Sequence, residues 1–101
     1  MTPETLSRLA QSGIQLVAET KGYVLLTRGG CVALAKLSVS GPPGLGSAGI
    51  MTDRGLAYPV ERGGQVFLSG KGGEVPAAEE QVETLRAFSQ DLKAGFDLPA
   101  L

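Results

Sequence analysis

Gly44-Leu45-Gly46-Ser47-Ala48-Gly49 has the GxGxxG spelling of a dinucleotide-binding loop. Glycines at that spacing let backbone approach a pyrophosphate, provided a strand leads in and a helix start follows to hold the anion. An apolar run ending at Val39 leads in, but Ile50-Met51-Thr52 and a turn at Asp53-Arg54-Gly55 stand where the helix should begin. The βαβ unit is missing too. With Gly41-Pro42-Pro43-Gly44 at its start, the stretch over residues 40–49 therefore reads as a flexible Gly/Pro loop. Backbone N–H groups of such a loop can still cradle an anion. Gly44, Gly46, Ser47 and Gly49, joined by Lys71 and Gly72 of a second glycine-rich turn, are the residues a small-ligand or anion sensor would use.

Other chemistry finds less material. The chain has no histidine, hence neither the commonest general base near neutral pH nor the commonest metal ligand. A histidine-free, RNase-type enzyme would need a set such as Glu61, Arg54 and Lys71 with Tyr58 and Arg62. The competing reading puts those charges on solvated turns and Tyr58 in the core. One cysteine cannot build a zinc site, and Asp53, Glu61 and Glu74 lack the spacing of a carboxylate site for Mg²⁺ or Ca²⁺. Neither metal, cofactor nor catalysis is expected. Cys31, in an apolar run, reads as a small buried hydrophobe.

Composition narrows the classes further. A chain of 101 residues builds one domain, 1–101, around one core. Nine basic residues against ten acidic ones supply no basic face to displace counterions, so nucleic acid is not an expected partner. No apolar run reaches the roughly 18 residues of a membrane-spanning helix. Met1-Thr2-Pro3-Glu4 lacks the basic-then-apolar order of a secretory leader, and a lone cysteine forms no intrachain disulfide. The expected compartment is the cytoplasm.

The elements that would position any site follow from periodicity. Thr2-Pro3 opens a helix carrying Leu6, Leu9 and Ala10 on one stripe, stopped by Gly13. Three β-rich runs follow, from Ile14, Tyr23 and Cys31, separated by Thr20-Lys21-Gly22 and Gly29-Gly30. Beyond the glycine-proline loop, runs at Ile50, Leu56 and Gln65 continue the meander, and Pro59 marks its own strand as an edge or a bulge. Pro76 starts a second helix with Val82, Leu85, Phe88 and Leu92 on its inner face, Gly95 ends it, and 97–101 form a tail. The expected fold class is α+β: an N-terminal helix, an antiparallel β-meander of five to six strands, and a C-terminal helix packed on the sheet.

Apolar residues on both faces of the second and third strands require both faces to be covered. One face is assigned Ile14, Leu16, Leu25 and Ala33, and the other Val24, Leu26, Val32 and Leu34. Either one helix lies on each face, or both share the first and the second meets a partner, most simply a second copy about a two-fold axis. In its order of elements the chain resembles the small dimeric chaperones of bacterial secretion systems and, less closely, roadblock or profilin-like modules. The expectation is a non-enzymatic protein-interaction module, a homodimer or a binder of another protein, working through the Val24, Leu26, Val32, Leu34 face or a sheet edge.

Overall fold

The structure, a computed structural model, describes residues 3–36 and 44–96. Its elements run α1 (Pro3–Gln11), β1 (Gln15–Thr20), β2 (Tyr23–Arg28), β3 (Cys31–Lys36), β4 (Gly44–Leu45), β5 (Gly49–Thr52), β6 (Gly55–Arg62), β7 (Gln65–Gly70), β8 (Gly73–Pro76) and α2 (Glu79–Gly95). This is the expected α+β order, with eight antiparallel strands in place of five or six. The sheet path is β1-β2-β3-β5-β6-β7-β8, and β4 also lies on β3. Tight turns explain so regular a meander. Lys21-Gly22, Gly29-Gly30 and Gly63-Gly64 all hold positive φ at both positions, the conformation that matches the twist of the strands they join.

The two additional strands have separate causes. From Gly44 onward the expected loop is a broken strand laid along β3. Gly44 and Leu45 pair with Lys36 and Ala35, the Gly46 N–H donates to the Leu34 carbonyl at 2.9 Å, and Gly49 and Ile50 pair with Val32 and Cys31. Glycine's poor strand propensity is outweighed by a partner strand that accepts its backbone bonds. Residues 40–43 lie outside the described residues, as do Thr2 and the tail at 97–101. β8 arises because Lys71-Gly72, expected within a flexible loop, is a two-residue hairpin turn with Gly70 opposite Gly73. Pro76 ends that edge strand opposite Phe67, where a missing N–H breaks no ladder. The second helix therefore starts at Glu79, and the Ala78 N–H donates to Gln81 Oε1 at 2.8 Å. Pro59 is tolerated for a related reason: pairing with β5 ends at Ala57, so β6 has an open side by Pro59.

Both helices lie on one face of the sheet. Leu9 of α1 and Leu85, Phe88 and Leu92 of α2 join Val24, Leu26, Ile50, Ala57 and Leu68 in a single buried cluster. β3 offers this face only Cys31, Ala33 and Ala35, small side chains that leave room for the Phe88 ring. Leu6, expected to face inward, is exposed, and Thr5 is buried instead. Gly95 is the last residue of α2 and Phe96 caps the helix, its N–H donating to the Leu92 carbonyl at 3.0 Å. Gly95 is needed for proximity: a Cβ there would run into Leu9 Cδ2, nearer than real Cβ contacts come, and stand 3.0 Å from Leu9 Cγ. Arg8 Nε donates to the Gly95 carbonyl across the same contact at 3.0 Å.

Candidate functional site: the open face of the sheet

Register decides which side chains share a face, because directly opposed residues on antiparallel strands project the same way. The two-residue Gly29-Gly30 turn makes Arg28 and Cys31 partners. Leu26 then stands opposite Ala33 and Val24 opposite Ala35, all under the helices, with Val24 and Leu26 0% exposed. Leu25 stands opposite Leu34, and Thr27 opposite Val32, on the other side. The four residues assigned to one face are thus split: Val24 and Leu26 belong to the core, Val32 and Leu34 to the face without helices. The signal was present in the sequence, since counting back across a two-residue turn gives these pairs. The first strand needed a further correction. A bulge at Val17 shifts its register, so Leu16 pairs with Leu26 while Ala18 pairs with Leu25.

The open face is apolar along most of the sheet. Tyr23 and Leu25 of β2, Val32 and Leu34 of β3, Met51 of β5, Leu56, Tyr58 and Val60 of β6 and Phe67 of β7 all project there. An antiparallel sheet with one solvated face ordinarily alternates apolar-in with polar-out. Here Leu34, Met51 and Tyr58 remain 46%, 56% and 43% exposed. Tyr58, expected in the core, is one of the largest side chains on this surface. Leu56 and Tyr58 close over Gly49, where a Cβ would lie 3.0 Å from Leu56 Cδ1 and 3.1 Å from Tyr58 Cε1. Charge sits at the margins, in Lys36 beside Tyr23 and in the Arg62–Glu74 ion pair at 2.7 Å.

The candidate ligand residues do not converge. Gly44 lies opposite Lys36 at one end of the sheet, and Gly49 is buried in β5. Lys71 and Gly72 turn at the other end, where a Cβ on Gly72 would lie 3.1 Å from Arg54 Cδ. Gly46 is held against the Leu34 carbonyl. Ser47 does line a hollow of about 340 Å³ between β6, β7 and α2, together with Pro59, Val66, Val82 and Arg86, whose guanidinium is paired with Glu83 at 2.9 Å. The nuclease set is spread as widely. Arg54 and Lys71 lie at one end, Tyr58 midway on the open face, and Glu61 and Arg62 at the far end of β6. Arg54, in the turn before β6, and Glu61 are seven positions apart, about 23 Å along an extended chain.

Among the described residues no three of Cys, Asp and Glu come together as a metal cluster, and no helix is long and apolar enough to cross a membrane. Cys31 is buried, and burial pushes its thiol above the ordinary value of 9.0, although the cation of its cross-strand neighbour Arg28 pulls the other way. Arg28 itself escaped notice in the sequence. It donates to the Ser12 carbonyl at 2.8 Å and to Asp91 Oδ2 at 2.6 Å, and lies 5.6 Å over the Phe88 ring. One side chain so ties α1, β2 and α2 together. Comparison with protein families, with curated proteins and with solved structures finds no match to the chain.

Proposed function

We propose that the protein is a non-enzymatic protein-interaction module that binds through the open face of its sheet. The observation that supports this most is the run of outward-pointing Leu25, Leu34, Met51, Leu56 and Tyr58, where an isolated sheet would carry polar residues. Side chains of this kind, flanked by Lys36 and by the Arg62–Glu74 pair, resemble the apolar centre and polar margin of a protein interface. The sheet edges are poorer candidates. β1 is interrupted by the bulge at Val17, and β8 is four residues long and ends in proline, both devices that blunt an edge. A reducing, cytoplasmic setting suits the single buried thiol.

The test is a pair of charges placed on the face, Leu34→Lys with Met51→Glu. The variant should keep its far-UV circular dichroism and a cooperative melt, and should lose the associations that the unmodified chain makes on a sizing column. Unfolding of the variant would put the face in the monomer's own core and overturn the proposal.

A further inference from the structure

The open face has a size and a symmetry that point to one occupant. Seven strands about 4.8 Å apart and about 20 Å long make a plane of roughly 580 Å², before the relief of its side chains is added, and each partner in a standard interface contributes roughly 800 Å². Leu25, Leu34, Met51 and Leu56 carry no charge, and the chain's net charge of −1 opposes the approach of an identical chain only weakly.

From this we infer that the occupant is a second copy of the chain, packed sheet to sheet about a two-fold axis that passes over β5. This rests on the open face being a binding surface and adds what binds it and how. A two-fold interface sets one patch against itself, so the favoured axis is the one giving greatest overlap. β5 is the middle strand of the seven in the path, and an axis there covers the face from β2 to β7 with its own image. Met51, 56% exposed on β5, then meets Met51 of the second copy. Methionine suits that place, because its unbranched, polarizable side chain can repack against a copy of itself. Leu34 and Tyr58, on the strands flanking β5, would complete the centre of the contact. The two sheets would lie about 10 Å apart.

The test uses the full chain with Met51→Cys and a bis-maleimide spanning about 10 Å, the spacing of packed sheets. Cys31 is 0% exposed and does not compete for the reagent. Ser7→Cys, on the exposed side of α1, is the control. A covalent dimer from Met51→Cys at micromolar concentration, at least tenfold faster than from Ser7→Cys, is expected. Equal, slow rates from a monomeric protein would overturn the second copy; the interaction face would survive that result if the Leu34→Lys, Met51→Glu variant stays folded, its occupant then being a different protein. Rapid dimer from Ser7→Cys alone would put association on the helix side and overturn both.

Discussion

Leu25 and Leu34 stand directly across from each other on β2 and β3, on the side of the sheet away from both helices. One residue along, Leu26 and Ala33 make the equivalent pair beneath the helices. Two neighbouring leucines of one strand thus belong to different environments, and a charge should separate them. Leu26→Lys buries an unpaired cation in place of a fully packed side chain and should cost at least about 3 kcal/mol, enough to unfold a small domain. Leu34→Lys should change monomer stability by less than about 1 kcal/mol. Thermal melts followed by circular dichroism at low protein concentration compare the two. Equal losses would contradict the assignment of faces.

Gly95 supports a second expectation, opposite in sign to helix propensity. Alanine should favour a helix by about 1 kcal/mol over glycine. The Leu9 side chain already occupies the space of the new methyl group, so Gly95→Ala should instead destabilise by about 1–3 kcal/mol. In a Leu9→Ala background the same change should become neutral or favourable. Urea denaturation of the four proteins of the cycle measures the coupling, and additivity would show that the helices do not touch there.

Arg28 joins three elements with one guanidinium. Arg28→Met removes its bonds to Ser12 and Asp91 and should cost about 1–3 kcal/mol, since it strands a carbonyl and a carboxylate that are only partly solvated. Lysine should not restore the loss in full, because its ammonium would have to reach both oxygens that Nη1 serves and would leave the Phe88 ring without its guanidinium. Recovery of full stability in Arg28→Lys, by the same denaturation assay, would reduce the role of Arg28 to a point charge.

Cys31 gives the chain an alkaline signature. Its thiol is raised in the folded state, so the folded protein keeps that proton to higher pH than the unfolded chain does. The associated stability is complete below about 9.0 and is lost as pH rises through the folded value. Melting temperatures between pH 8 and 10.5 should fall more steeply for the unmodified protein than for Cys31→Ala. Parallel curves would count against burial as the dominant influence on the thiol.

Strand and helix existence was legible because period-2 runs, two-residue glycine turns and the Val82, Leu85, Phe88, Leu92 stripe all depend on local chemistry. Faces were legible within a strand and lost between strands. Register across Gly29-Gly30 decides whether Leu26 or Leu25 joins Leu34, the bulge at Val17 decides separately which face Leu16 takes, and neither shows in a single strand's alternation. The strand character of Gly44-Leu45 was illegible for another reason, since its hydrogen bonds come from β3 and not from its own residue types. Gly95 reads as a stop signal in any sequence. Its actual part, making room for Leu9, belongs to the packing of two helices distant along the chain.

The most direct measurement is the solution mass of the unmodified protein and of Leu34→Lys, by light scattering on a sizing column over a dilution series. The first should give a species near twice 10.4 kDa that dissociates on dilution, and the second a folded 10.4 kDa monomer at every concentration. An unmodified chain that stays at 10.4 kDa throughout, or a dimer that Leu34→Lys leaves intact, would contradict the pairing of the open face with a second copy.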